Sequence, residues 1–326
     1  MDSETPYSKL DPATVLEAVE QVGIEPDGRT LALNSYENRV YQVGVEDARP
    51  VVLKFYRPGR WSDEVILEEH DFSLELVDAE IPVVAPLVCD DQTLLECRGY
   101  RYAIYPSVGG RWPELDTTAD RVVLGRSLGR LHAVGAVSEF EHRDFLDPDR
   151  LGGEASDWLL EHEWLPPHLE SAYESLTDDL LPAIEERFRL AGDYHEQRIH
   201  GDCHPGNILW SGSGPLFVDL DDCLAGPVVQ DLWMLLSGER DEMRLQLSEL
   251  LEGYVGFANF DTRQLWLIEA LRTLRLIHYA AWIARRWHDP AFPKAFPWFD
   301  DARFWEEHVL SLREQAALMQ EGPLEL

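Results

Sequence analysis

β-Branched and aromatic residues crowd four short runs near the N-terminus: RVYQVGV (39–45), VVLKFY (51–56), TLLEC (93–97) and YRYAIYP (100–106). Runs of this length and composition predict β-strands. Between the second and third, DEVILEEHDFSLELV (63–77) carries apolar residues at helical spacing. Further upstream, Asp11-Pro12 pairs an N-cap with proline at the first helical position and predicts a short helix to about Gln21. After Pro106 the period lengthens. Helical patterns dominate at about 118–134, 155–161, 170–190, 229–236, 241–258 and 263–287, broken by strand-like pieces at RIHGD (198–202) and PLFVDLDD (215–222). SVGGRWP (107–113) reads as the junction, so the expectation is an α+β protein: a small β-rich part, 1–106, and a larger helical part, 107–326. No internal repeat or low-complexity segment interrupts this order.

Composition narrows the partners. The formal net charge is −33, and lysine occurs only at Lys9, Lys54 and Lys294. A surface so acidic repels nucleic acid and anionic membrane, so neither is an expected partner. The acidity is spread along the chain, as on a solvated or salt-adapted surface. Four cysteines without a CxxC pair form no disulfide framework and suit a reducing compartment. The N-terminal MDSETPYSKLDP has no apolar core, and no apolar run approaches the ~20 residues of a membrane span. The expected protein is cytoplasmic and monomeric.

The densest chemistry is HGDCHPGN (200–207). Zinc sites need sets such as CxxC with HxxxH, and here Cys203 stands alone between His200 and His204. A Cys203 nucleophile would need a positioned base, and its immediate neighbour His204 is poorly set for that. A third reading takes His-x-Asp-x4-Asn as one unit, with the Asp202 carboxylate aimed at a substrate hydroxyl and the Asn207 amide oxygen holding a hard cation. The bland alternative is an Asx-rich turn. FVDLDD weighs against it, because LFV runs to Asp219 and the intervening SGSGP turn brings Asp219 back towards Asn207. One cation could then see both.

Lys54 interrupts an apolar strand, sharing a face with Val52 and Tyr56 while Val51, Leu53 and Phe55 share the other. If buried, it needs a partner; an edge lysine in solvent is the plain alternative. On the following helix Val65, Glu69, Phe72 and Leu76 form one stripe, so Glu69 points inward and Glu68 points off it. An inward Lys54–Glu69 pair could present an ammonium to phosphate oxygens.

A strand lysine, a helix glutamate, an HxDxxxxN loop and a strand-end aspartate, in that order, resemble the bilobal protein-kinase-like fold. HGDCHPGN with VDLDD is similar to its aminoglycoside-phosphotransferase and choline-kinase branch. LNSYENRVYQV, VVLKFYRPGRW, YPSVGGR, GPVVQDLWMLL and DPAFPKAFPW further resemble a cytosolic serine/threonine protein kinase of that branch, active in bacterial stress response. The resemblance implies ATP and Mg²⁺, or Mn²⁺, and transfer of the γ-phosphoryl group to a hydroxyl. It implies a nucleotide-binding lobe over 1–106 and a catalytic and substrate lobe over 107–326. Asp202 would be the base, Asn207 and Asp219 the metal ligands, and Lys54 with Glu69 the phosphate anchor. Ser35 in NSYENR, a loop without the usual glycines, would touch phosphate; Ala103 to Ser107, including Tyr105, would receive adenine. Asp231 would brace the catalytic loop. Gly201 stands where an arginine would sense a phosphorylated activation loop, and the segment from Asp219 to Asp231 is short, which argues against that kind of switch. The acceptor is expected to be a protein Ser/Thr side chain. An aminoglycoside-, choline- or homoserine-like alcohol is the alternative, and a nucleotide-binding scaffold without turnover is a further one.

Overall fold

The computed structural model describes residues 6–326. They form two compact units: residues to Asp144 with Gln197–Ala225 and Glu249–Ala258, and Phe145–Glu196 with Gly226–Ser248 and Asn259–Leu326.

The first unit opens with helix α1 (Pro12–Glu20), whose N-cap Asp11 accepts from the Thr14 amide at 2.8 Å. An antiparallel sheet follows: β1 (Pro26–Ala32), β2 (Arg39–Val45), β3 (Val51–Phe55), β4 (Leu95–Cys97) and β5 (Tyr100–Pro106), in the order β1-β2-β3-β5-β4. The alternation in β3 is used on both faces. Val51, Leu53 and Phe55 pack with Val43, Tyr102 and the Val15, Ala18 and Val19 stripe of α1. On the other face Tyr56 and Ala103 pack against Ile66 of helix α2 (Asp63–Asp78). Ser62 caps α2, and Asp63 and Glu64 in its first turn favour its dipole. Helix α3 (Thr118–Gly135) leads on to β6 (Gln197–Ile199), the hairpin β7 (Ile208–Ser211) and β8 (Gly214–Phe217), and β9 (Leu224–Gly226), which pairs with β6. SVGGRWP does more than join two parts: Arg111 and Trp210 exchange backbone hydrogen bonds, which pins the segment onto β7.

The second unit is helical. It contains a π-helical turn at Asp149–Gly153, α4 (Glu154–Glu161), α5 (Pro167–Ala191), α6 (Val229–Trp233), the start of α7 (Arg240–Tyr254), α8 (Ile268–Arg285), α9 (Ala291–Ala295) and α10 (Ala302–Leu318). Its core gathers Tyr173, Leu180, Leu274, Ile277, Phe292, Phe299, Trp305 and Leu312. The helical period is realised closely at α3, α4 and α5. At 263–287 the first six residues form a 3-10 turn, Thr262–Leu267, before α8. Strand β1 and helices α9 and α10 carry no expectation from the sequence pattern.

Candidate active site

The site is built from five stretches of the first unit: β3, α2, the loop before β2, the turn after β6 and the segment after β8. Lys54 is central. β3 is paired on both sides, with Lys54 opposite Val40 and Ala103, so its backbone has no freedom and its side chain is buried. The ammonium lies 2.9 Å from Asp221 Oδ1, 3.0 Å from Glu69 Oε1 and 3.2 Å from Asp219 Oδ1. Burial alone would push this lysine towards neutrality; Asp221, Glu69 and Asp219 outweigh it and raise its pKa well above the ordinary value. The buried alternative for Lys54 therefore holds, and Glu69 is its helix partner.

Glu68 has a different task. Its carboxylate accepts from the backbone amides of Glu141, His142 and Arg143 at 2.6, 2.9 and 2.8 Å. The Arg143 guanidinium then donates to the carbonyls of Val65, Asp221 and Cys223. One loop thus ties α2 to the segment that carries Asp221. Burial pushes the Glu69 carboxyl up to about 7, with the Lys54 charge opposing, and its second oxygen is buried without a hydrogen-bond partner.

Asp221 was not singled out by the sequence pattern, although the site turns on it. It is buried, and its carboxylate holds Lys54, Arg60 and the Asn38 amide, the last at 3.1 Å. Burial acts to raise its pKa, and the cations Lys54 and Arg60 more than reverse that, holding it well below the usual carboxylate range. Arg60 also pairs with Asp222 and lies over the Trp61 ring at 4.8 Å. Asn38 accepts from the Arg57 amide at 3.1 Å, which ties the NSYENR loop to the same centre. The loop lacks glycines but is closed by Ser35, whose hydroxyl accepts from the Val40 amide at 3.0 Å. Asn38, Arg60 and Asp221 are polar residues in unremarkable contexts. Their only signal in the sequence is proximity to motifs already noted.

After β6 the chain turns sharply. His200 is buried against the Val218 carbonyl, 3.0 Å from Nε2. Gly201 has φ +81°, and a Cβ there would lie 2.3 Å from the Asp222 carbonyl oxygen, so no arginine fits at this position. Asn207 Nδ2 donates to the Asp202 carbonyl at 3.0 Å and approaches Asp202 Oδ2 at 3.3 Å. The Val218 amide donates to the Asn207 carbonyl at 3.0 Å, so the hairpin does bring Asp219 back beside Asn207. Asp219 has φ +59° and ψ +69°, and its side chain is half exposed. A left-handed aspartate is a strained residue of the kind found at functional sites.

The donor set fits a hard cation: the amide nitrogen of Asn207 is committed to Asp202, which leaves its oxygen and the Asp219 carboxylate as ligands. Among the described residues no group of three or more His, Cys, Asp or Glu gathers as a metal set, and Cys203 is fully buried. Mg²⁺ is commonly held by few protein oxygens together with substrate phosphates. Ala103 is buried beside Lys54, and the Tyr105 hydroxyl lies 3.1 Å from that of Tyr56, which in turn meets His70 at 2.6 Å. Asp231 is fully buried in α6 of the second unit. Among the described residues no helix is long and apolar enough to cross a membrane.

This combination of sheet, ion pairs and Asp-Asn turn is that of a protein-kinase-like phosphotransferase. Residues 29–268 match the phosphotransferase enzyme family, to which the chain belongs. It is 46% identical over 320 residues to stress response kinase A of Escherichia coli (strain K12), covering 98% of this chain and 97% of that one. It is 46% identical over 325 residues to the serine/threonine protein kinase RdoA of Salmonella typhimurium, covering 100% and 98%. An amicoumacin kinase solved with AMP-PNP, Ca²⁺ and Ami superposes with a TM-score of 0.73 over 96% of this chain and 95% of that one, at 18% identity. The fold implied by the motif order is therefore the fold of this chain.

Proposed function

We propose that the protein is an ATP- and Mg²⁺-dependent serine/threonine protein kinase of a bacterial stress response, acting in the cytoplasm as a monomer. The observation that carries phosphoryl transfer is the buried Lys54 ammonium held at once by Glu69, Asp219 and Asp221, together with a turn in which Asn207 donates to Asp202. In this reading 1–106 is the nucleotide-binding lobe and 107–326 the catalytic and substrate lobe. Lys54, positioned by Glu69, meets ATP phosphates; Ser35 covers them; Ala103 and Tyr105 line the adenine side. Asn207 and Asp219 hold Mg²⁺, or Mn²⁺, which supplies charge neutralisation on the phosphates. Asp202 accepts the proton of the acceptor hydroxyl.

Full-length similarity to a relative named serine/threonine protein kinase supports a protein acceptor. A small-molecule alcohol is the second reading, favoured by the likeness of fold to an amicoumacin kinase. The test is transfer of label from γ-labelled ATP with Mg²⁺ to a generic basic protein or to the enzyme itself. Label on serine or threonine is expected, and Asp202→Ala should lower it by roughly 10²–10⁴ while ATP still binds. Saturable transfer to one small alcohol with no protein label would favour the second reading.

A further inference from the structure

A buried arginine outside the sequence motifs joins two of the segments that meet at Lys54. Arg143 lies in the loop after α3, within the first unit, and is 8% exposed. Its guanidinium donates to three backbone carbonyls: Val65 at 2.9 Å, Asp221 and Cys223. In an α-helix each carbonyl accepts from the amide four residues on, so the Val65 carbonyl of α2 is the one that closes the turn carrying Glu69. Asp221 is the residue whose carboxylate lies 2.9 Å from the Lys54 ammonium.

These contacts close a ring. Lys54 meets Glu69 at 3.0 Å, Glu69 is fixed to α2, and α2 reaches Arg143 through Val65. Arg143 reaches the Asp221 backbone, and the Asp221 carboxylate returns to Lys54. Glu68 stands outside the ring. It accepts from the 141–143 amides and so holds the loop, whereas the Arg143 side chain spans from α2 to the segment after β8.

The guanidinium has little room to turn. It lies over the Trp61 ring at 5.5 Å and the Phe140 ring at 6.0 Å, and Phe140 meets Phe72 of α2 edge-on at 5.5 Å. Its hydrogen bonds go to carbonyls rather than to a carboxylate, so they fix position without neutralising charge. Burying a cation on such terms is costly, and an apolar side chain would fill the space between the rings at less cost. A planar fork that holds several acceptors at set distances while stacking on aromatic faces is what arginine alone supplies; a lysine ammonium on a flexible stem does neither. The far end of α2 has its own tie. Glu75 accepts from Arg198 at 2.7 and 3.0 Å, and Arg198 lies over Phe72 at 4.6 Å. Loss of Arg143 would therefore release the half of α2 that carries Glu69 while the other end stays docked.

We propose that Arg143 is a positioning residue for phosphoryl transfer: it sets α2 against the segment after β8 and through them places Glu69 and Asp221 about Lys54. The inference rests on the phosphoryl-transfer reading given above and adds to it a residue that acts through other side chains. The engaged position of α2 is then built into the fold by the chain's own loop.

The test compares the full-length parent with Arg143→Gln and Arg143→Lys. Arg121→Gln is the comparator, because Arg121 is another largely buried arginine, held by Glu249 and the Leu115 carbonyl. Transfer of label from γ-labelled ATP with Mg²⁺ to a generic basic protein, or ATP hydrolysis where no acceptor is labelled, gives kcat and KM. Urea melts give the folded fraction to which rates are referred. Both Arg143 variants should lower kcat/KM for ATP roughly 10- to 100-fold per folded molecule, since misplacement by about 1 Å is enough. Arg121→Gln should lose stability and keep both constants. Without nucleotide, amide hydrogen exchange in the Arg143 variants should rise about tenfold or more in 63–69 and 220–223 together, and stay as in the parent in 73–78. Parent-like constants in the folded Arg143 variants overturn the proposal, as does faster exchange in only one of the two segments. Should Arg143→Gln fail to fold, Arg143→Lys decides. A parent that neither transfers nor hydrolyses removes the phosphoryl-transfer reading and this role with it; an active parent with unaffected variants removes this role alone.

Discussion

Asp221→Asn is the most informative single substitution. It keeps the volume and removes the charge that Lys54 and Arg60 share, both with largely buried side chains. Taking one partner from a buried ion pair costs about 3–5 kcal/mol. Here Glu69 and Asp219 still hold Lys54, and Asp222 still holds Arg60, so the low end applies: about 3 kcal/mol, or roughly a 100-fold change in the folding equilibrium. Asp222→Asn provides the contrast. Its side chain is half exposed, and an exposed pair is worth about 0–1 kcal/mol. Urea unfolding at pH 7, read as a change in midpoint at constant slope, measures both. The pH dependence follows from the depressed pKa of Asp221. Its stabilisation is present above the ordinary carboxylate range and is lost as pH falls below it, so parent and variant should converge only in strong acid. Equal costs for the two variants, or a cost under about 1 kcal/mol for Asp221→Asn, would show that the buried carboxylate is not what holds the two cations.

Glu69→Gln takes one carboxylate from the same buried ammonium and should raise the KM for ATP as well as lower stability, by up to about 3 kcal/mol, whereas Glu68→Gln, by weakening a carboxylate bound to three amides, should lower stability by about 1–3 kcal/mol and leave the KM alone; nucleotide kinetics with urea melts separate the two. The sequence alone suggested a mild outcome at Glu68, because it lies off the apolar stripe, and the 141–143 loop revises that. Asp219→Asn should weaken Mg²⁺-dependent ATP binding, seen as a shifted Mg²⁺ titration; an unchanged titration would remove Asp219 from the ligand set. Burial holds His70 at about 3 and His308 at about 4, against an ordinary 6.5. The unfolded chain therefore takes up protons that the folded one refuses, and stability present above pH 6.5 is lost as pH falls towards 4, by about 3 kcal/mol for His308 alone. A melting temperature flat from pH 7 to 5 would contradict this.

The legible parts of the fold were those where one local force dominates. VVLKF reads as a strand because β-branched and aromatic residues fill both of its faces, and the Asp11-Pro12 start reads as a cap because no tertiary contact is needed to make it. Strand β1, PDGRTLA, is polar and mostly exposed, and it owes its form to pairing with β2. In α10 the buried stripe Trp305, His308, Val309, Leu312 and Gln315 includes two polar side chains, which blurs its apolar period. The site divides in the same way. Lys54, Glu69, Asp202, Asn207 and Asp219 stand at spacings that chemistry constrains. Asp221 and Arg60 matter because two distant segments meet, and a buried aspartate two residues from Asp219 has no spacing rule of its own.

The backbone at Asp219 has a consequence for how this chain can change. A non-glycine residue in the left-handed region costs of order 1–3 kcal/mol, a cost that glycine would relieve. Glycine would also remove one of the three carboxylates around the buried Lys54 ammonium, so the two effects oppose each other and a library screened only for survival of heating should tolerate aspartate and glycine alike. A library screened for turnover should reject glycine. Position 219 is thus held by turnover rather than by stability, and its identity in a laboratory lineage records whether turnover was under selection.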